Sequence, residues 1–283
     1  MNPHRPTFPH RKAAGPHPAH ANERTSRPRP PDAAAPRPDF DEVRIHGLNA
    51  CLAAFEARPE DLRKAWLSES RIPALKPVLA WCVKNRIGYR VVEDEAELAK
   101  LTGTERHEGV CFQMRRRVDP DLPTLLRNLG DGPACLLWLD GVGNPHNFGA
   151  LLRSAAHFGV RGILLPSDST LTLSGATCRV AEGGAEAVPV VRLGDTAEAI
   201  NALQAAGFTL AATVPREADS LFEAKLPART VFVLGAERDG MQHDLIERCA
   251  LRLTIPGSGK VESLNIASAV AVLLAVWALR HPA

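Results

Sequence analysis

The chain has 283 residues, of which 45% are hydrophobic and 23% are charged, and its formal net charge at pH 7 is +2. This is a globular composition, so a sizeable core is expected. One tyrosine and four tryptophans leave little material for stacking RNA bases on rows of aromatic side chains. Any contact with nucleic acid is therefore expected to depend on charge and shape.

Six cysteines are scattered along the chain without a C-x-x-C pair or a neighbouring pair of histidines. This scatter argues against a zinc site and against a disulfide framework, and we expect no metal. It also indicates a reducing compartment, so we expect a cytoplasmic protein. The first residues lack the apolar segment of a signal peptide, and secretion is not expected.

Residues 1–38 contain ten of the 23 prolines and four of the ten histidines, and almost nothing that can build a core. The composition predicts a disordered arm. Seven basic residues against two acidic ones give the arm a charge of +5, which exceeds that of the whole chain. Such a segment suits RNA phosphates, because each neutralised phosphate releases counterions. An extension without a binding partner fits the composition equally well.

Residues 40–115 alternate between strand and helix patterns. A short strand is followed by a helix after Gly47, a strand at Leu62–Leu67, a helix, the strand "YRVV", another helix and a closing strand in "HEGVCFQMR". This order predicts a small α/β domain. Residues 116–132 are rich in proline and glycine around one short amphipathic piece, and predict a linker.

Residues 133–283 repeat a strand-then-helix pattern over their whole length. The predicted strands are "CLLWLD", "GILLP", "AVPVV", "TLAATV", "VFVLG" and "LRLTIP", and helical patterns separate them. Regular alternation of this kind predicts an α/β fold with a mostly parallel sheet and helices on both faces.

The stretch "IPGSGKVESLNIASAVAVLLAVWALR" allows three interpretations. A phosphate-binding loop requires G-x-x-x-x-G-K-[ST], whereas Val261 follows the Gly-Lys pair and Thr254 occupies the place of the first glycine. A membrane span requires about 18 to 20 apolar residues, and the run Ala267–Leu279 has 13, so no membrane association is expected. The remaining interpretation is a buried helix opened by Ser263 and Asn265, which either cap the helix or face a ligand.

Two further stretches bear on this choice. "LDGVGNPHNFGALLRSAAHFGV" (139–160), "VLGAERDGM" (233–241) and "IPGSGKVESLNIASA" (255–269) together resemble, in order and spacing, the three motifs of the SpoU/TrmH-type RNA ribose 2′-O-methyltransferases, a family of the SPOUT class. The segment that begins "IHGLNACLAAFEARPEDLRKAW" and closes with "HEGVCFQ" looks like the small ribosomal-protein-like substrate-binding domain that often precedes them.

The resemblance implies a fold and an activity. The fold would be a C-terminal trefoil-knotted methyltransferase domain that forms a homodimer, and the activity would be transfer of a methyl group from S-adenosylmethionine (AdoMet) to a ribose 2′-hydroxyl of ribosomal or transfer RNA, without a metal. Two alternatives remain open. The protein could be a knotted RNA-binding protein without methyl transfer, or a methyltransferase of the same class that acts on a base.

The resemblance also implies a set of site residues. The implied catalytic residues are Arg153, Asn147, Glu237, Ser263 and Asn265. The implied cofactor-binding residues are Gly235, Ile255 and Leu264, with Thr213 as a weaker candidate. A glycine at 235 also has a physical reason, because a missing Cβ lets a ligand approach the backbone.

Arg153 is implied to act at the acceptor hydroxyl. A guanidinium stays protonated far above neutral pH, so orientation of the hydroxyl and binding of its phosphate are favoured, and proton abstraction remains open. The segment "RVAEGGAEAVPV" (179–190) departs from the family pattern, because Ala181 and Glu182 stand where many members carry a shorter serine-containing turn. This departure leaves the RNA target open.

Overall fold

The structure is a computed structural model that describes residues 41–235 and 240–282. The predictions for residues 1–38 and for Glu237 fall outside these described residues. The described part belongs to one compact unit, which contains two β-sheets.

The first sheet has four strands in the order β1-β4-β2-β3. Its elements are β1 (Glu42–His46), α1 (Leu48–Ala57), β2 (Leu62–Ser68), α2 (Ile72–Asn85), β3 (Gly88–Val92), α3 (Glu95–Thr102) and β4 (Val110–Arg115). β2 and β3 are parallel, whereas β4 runs antiparallel to both β1 and β2. α1 and α2 pack on one face through buried residues such as Cys51 and Leu75, and α3 packs Leu98 near Trp66 on the other. Each element expected from the sequence in this region is present.

The segment predicted to be a linker contains the short helix α4 (Leu122–Arg127). Asp121 caps this helix by accepting a hydrogen bond from the amide of Thr124. Leu122 and Leu125 are buried in the core of the second sheet. The amphipathic piece therefore forms part of the packed structure.

The second sheet has seven strands in the order β7-β6-β5-β10-β8-β11-β9, and every neighbouring pair is parallel. The strands are β5 (Ala134–Leu139), β6 (Gly162–Leu165), β7 (Val190–Arg192), β8 (Thr209–Thr213), β9 (Asp219–Ser220), β10 (Arg229–Leu234) and β11 (Leu251–Thr254). The helices are α5 (Pro145–His157), α6 (Gly175–Ala181), α7 (Gly184–Ala187), α8 (Thr196–Ala205), α9 (His243–Glu247) and α10 (Ile266–Arg280).

Burial follows from this arrangement. All six residues of β5 are buried, as expected for a central strand that helices cover on both faces. The expectation of an α/β fold with a mostly parallel sheet is confirmed.

The two sheets are joined by close packing of α1 and β1 on α6 and α7. A Cβ at Gly175 would collide with the carbonyl oxygen of Arg44, so these backbones are in direct contact. The buried guanidinium of Arg58 makes a two-pronged ion pair with Glu186, with Nε–Oε2 at 2.9 Å and Nη2–Oε1 at 3.0 Å. Since the matched pair lies between α1 and α7, it fixes the first sheet against the second.

The final helix, α10, is largely covered by its own chain. Val270, Leu273, Leu274 and Trp277 are buried, whereas Leu279 is 83% exposed. In the sequence, five apolar residues spread around this helix predict that part of it packs on a second copy of the chain: Val270, Leu273, Leu274, Val276 and Trp277. Four of them are buried within the chain, and Val276 is partly buried. Within the described ranges, no helix combines the length and apolar character needed to cross a membrane.

Candidate active site

A cleft of about 500 Å³ opens at the carboxyl ends of three neighbouring strands, β10, β8 and β11. Thr213, the last residue of β8, pairs with Leu234 of β10 on one side and with Leu253 of β11 on the other. The carboxyl edge of a parallel sheet is the usual place for a ligand in α/β proteins, and the volume is in the range of small-molecule sites.

The four residues predicted to bind a cofactor all line this cleft. Thr213 ends β8, Gly235 follows β10, Ile255 follows β11, and Leu264 lies in the segment before α10. Gly235 belongs to the second motif, Ile255 and Leu264 belong to the third, and Thr213 lies outside the motifs; the fold brings all four to one place.

The character of the cleft is mainly apolar. Met241, Ile246 and Leu273 contribute to its walls, and Glu262 is the one ionisable side chain among the described lining residues. Such a lining suits an aromatic base held by backbone groups. The sequence did not indicate the apolar residues, because nothing in their pattern distinguishes them from core residues.

Gly235 is required by contact with its own chain. A Cβ at this position would lie 2.5 Å from the carbonyl carbon of Gly240 and 2.6 Å from the amide nitrogen of Met241. From the sequence, the expected reason for this glycine is the close approach of a ligand. The structure gives another reason. The missing side chain lets the backbone at Gly235 contact the segment Gly240–Met241, and both line the cleft.

Asn147 and Asn265 lie side by side, as the sequence analysis expected for two residues of one site. The amide Nδ2 of Asn265 donates to Oδ1 of Asn147 at 3.2 Å. Asn265 is also the N-cap of α10, where its Oδ1 accepts from the amide of Ala267 at 2.9 Å. It therefore serves both as a cap and as a link between two motifs.

Asn147, the other residue of this link, lies in the first turn of α5. Asn144 caps α5, and its Oδ1 accepts from the amides of His146 and Asn147 at 2.9 and 3.5 Å. The Asn-Pro pair is a recognisable start signal, because proline suits the first helical position.

Ser263 lines the cleft, but it does not cap the helix that follows; Asn265 has that role. From the sequence, either residue could have capped this helix. Glu237, predicted to support Asn147 or Arg153, lies outside the described residues.

Arg153 lies on α5, six residues after Asn147, about 9 Å further along the helix. Its side chain is 60% exposed, and its Nη1 lies 3.0 Å from Oε1 of Glu182. It is not among the described residues that line the cleft. Within one chain, the fold thus brings together Asn147, Asn265 and the cofactor residues, and places the arginine on the neighbouring surface of the same helix.

The described residues contain no group of three or more His, Cys, Asp or Glu side chains arranged to hold a metal ion. All six cysteines are buried free thiols.

The cleft opens at the carboxyl ends of a parallel sheet, and a pair of asparagines at two helix starts lies next to it. These features define an α/β protein with a small-ligand site beside a polar surface. Residues 134–275 match the sequence model of the SpoU rRNA Methylase family, and residues 44–117 match that of RNA 2′-O ribose methyltransferase substrate binding. The chain belongs to the SpoU rRNA methylase family, and the resemblance seen in its motifs is confirmed.

Curated relatives agree with this assignment. A protein of Escherichia coli O157:H7 described as an uncharacterized tRNA/rRNA methyltransferase, YfiF, is 41% identical over 84% of this chain and 68% of its own length. The 23S rRNA (guanosine-2′-O-)-methyltransferase RlmB of Nitrosomonas europaea is 32% identical over 81% of this chain and 88% of its own.

Among solved structures, an AdoMet-bound rRNA methyltransferase from Sinorhizobium meliloti superposes with a TM-score of 0.72. The match covers 86% of this chain and 88% of that one at 23% identity. At this identity the likeness concerns the fold.

Proposed function

We propose that this protein transfers a methyl group from AdoMet to a ribose 2′-hydroxyl of ribosomal or transfer RNA. The observation that carries the proposal is that residues of the second and third family motifs line one cleft, while the first motif is joined to the third beside it through the Asn147–Asn265 hydrogen bond. The names of the curated relatives, which include a 23S rRNA (guanosine-2′-O-)-methyltransferase, support the same reaction.

The cleft fits AdoMet in size and in chemistry. Gly235 and Ile255 follow strand ends and bring backbone groups to the cleft that can bond an adenine, and Leu264 offers an apolar contact. Bound AdoMet supplies an electrophilic methyl group on a cationic sulfur. The carboxylate of Glu262 stands in the lining and favours a cation nearby. Calorimetric titration of the full chain with AdoMet should give one site per chain, and a folded protein that binds none contradicts the proposal.

The chain's own contribution to the reaction is mainly positioning. Holding two reactants in line avoids a large entropic cost. The asparagine pair fixes the start of α5 against the start of α10, so that the surface of α5 that carries Arg153 keeps a defined position beside the cleft. The guanidinium of Arg153 then binds the phosphate of the acceptor nucleotide and orients its 2′-hydroxyl.

Substitution of Arg153 tests this role. Arg153→Ala should leave AdoMet affinity nearly unchanged and abolish methyl transfer. Arg153→Lys should not restore transfer, because an ammonium lacks the planar fork of a guanidinium. Near-normal turnover of the lysine variant contradicts the assigned role.

The RNA substrate can be identified by mapping ribose methylations in ribosomal and transfer RNA from cells with and without the gene. One or more 2′-O-methyl groups should disappear in its absence. An unchanged map favours the rival function, an RNA-binding protein that keeps the fold without methyl transfer. A missing base methylation favours a base methyltransferase of the same class.

We further propose that the catalytic domain is a trefoil knot and that two copies pair through it in the cytoplasm. The resemblance to the SpoU family supports the pairing, and the exposed Leu279 gives a position on α10 at which to test it. Light scattering should give the mass of a dimer, and Leu279→Glu should weaken it. A monomeric wild-type protein contradicts the dimer.

The basic arm of residues 1–38 is proposed to attract RNA phosphates. Its deletion should weaken RNA binding and flatten the dependence of affinity on salt, without changing AdoMet affinity. An unchanged salt slope contradicts this role of the arm.

A further inference from the structure

Glu182 has an unusual backbone conformation for its residue type. It ends α6 with φ 45° and ψ 48°, in the left-handed region. Glycine or asparagine usually fills such a position, because a longer side chain is strained there. Backbone strain of this kind is frequent at functional sites, and in this chain Glu108 and Glu217 share it.

The carboxylate of Glu182 joins two parts of the protein. Oε1 lies 3.0 Å from Nη1 of Arg153 on α5, and Oε2 accepts a hydrogen bond of 3.4 Å from Nδ2 of Asn49 on α1. Asn49 belongs to the segment that matches the substrate-binding family, and Arg153 belongs to the catalytic segment. One side chain thus contacts both segments at once.

The backbone around Glu182 is held rigidly against α5. A Cβ at Gly149 would lie 2.7 Å from the carbonyl oxygen of Thr177 in α6. A Cβ at Gly184 would lie 2.6 Å from the carbonyl oxygen of Leu152. The helix that carries the arginine and the turn that carries the glutamate are therefore in backbone contact on both sides of Glu182. Their separation is set by the fold.

We propose that Glu182 is a positioning residue for Arg153 in methyl transfer, and that it links the position of this arginine to the substrate-binding domain through Asn49. The proposal rests on the proposed function. A guanidinium has five N–H donors, so Arg153 can keep its contact with Glu182 while it binds an RNA phosphate. An exposed ion pair of this kind contributes little to stability, which leaves orientation as its main effect.

Glu182→Gly separates positioning from a structural role. The substitution removes the carboxylate and relieves the left-handed backbone, so the melting temperature should stay the same or rise. The assay measures transfer of labelled methyl from AdoMet to ribosomal and transfer RNA from cells that lack the gene. We expect kcat to fall about tenfold, while KM for RNA and Kd for AdoMet change less than about twofold.

The chain offers a closely matched control. Arg90 of β3 and Glu97 of α3 form an ion pair of 3.0 Å, with the arginine 61% exposed against 60% for Arg153. Glu97→Gln should leave kcat unchanged. Asn49→Ala should lower kcat by about two- to threefold, and it should have no further effect in the Glu182→Gly background, because both changes break the same link.

The outcomes distinguish failure of the proposed function from failure of the inference about Glu182. Wild-type protein that transfers no methyl group to any ribosomal or transfer RNA overturns the proposed function and this inference with it. Active wild-type protein with an unchanged kcat in Glu182→Gly overturns the role of Glu182 alone. A loss of kcat that is matched by a fall in melting temperature assigns Glu182 a structural role and also overturns the inference.

Discussion

Gly235→Ala should damage the cofactor cleft more than any ordinary glycine-to-alanine change. The new Cβ would lie between 2.5 and 2.7 Å from three backbone atoms of Gly240 and Met241, whereas ordinary contacts begin at 3.4 Å. That segment would have to move by about 0.9 Å, and overpacking of this kind costs about 1–3 kcal/mol. Because both residues line the cleft, the shift should distort the AdoMet site.

The expected result is a rise in Kd for AdoMet of about tenfold or more, since 1.4 kcal/mol corresponds to a factor of ten. Calorimetric titration measures the affinity, and urea unfolding measures the stability. Gly194→Ala is the matched control, because Gly194 also follows a parallel strand and a Cβ there would meet nothing within 4 Å. A Kd within about twofold of wild type, in a variant of unchanged stability, refutes the steric argument.

Three other expectations concern stability. Asn265→Ala removes the cap of α10 and should lower the free energy of unfolding by about 1 kcal/mol in urea titrations, whereas Asn265→Asp should keep most of it. Arg58→Ala leaves Glu186 buried without its ion pair and should cost about 3 kcal/mol in the same assay; a cost below about 1 kcal/mol contradicts the proposed joint between the sheets. Burial lowers the pKa of His46 from 6.5 to about 4. Between these two pH values the unfolded chain binds a proton at His46 and the folded chain does not. Stability should therefore fall by up to about 3 kcal/mol as the pH drops from 6.5 towards 4, and His46→Gln should flatten that part of the curve.

The sequence by itself determined the order and type of the elements. Alternating strand and helix patterns depend on local periodicity, and the parallel sheet follows because strands joined by helices run in the same direction. The motif segments and the asparagine at the start of α10 were also readable, because glycine, asparagine and proline mark strand ends and helix starts through their own backbone preferences. The four cofactor residues followed from the resemblance to the family.

Only the tertiary structure decided which of these residues meet. Asn147 and Asn265 are 118 residues apart, and Asn49 and Glu182 are 133 apart, so no local pattern connects them. The strand order places β8 between β10 and β11, which brings three distant loops to one cleft. The partner of Arg153 and the reason for Gly235 depend on backbone packing between separate elements. Such contacts are set by the free energy of the whole fold, and that is why they cannot be read from the residues one segment at a time.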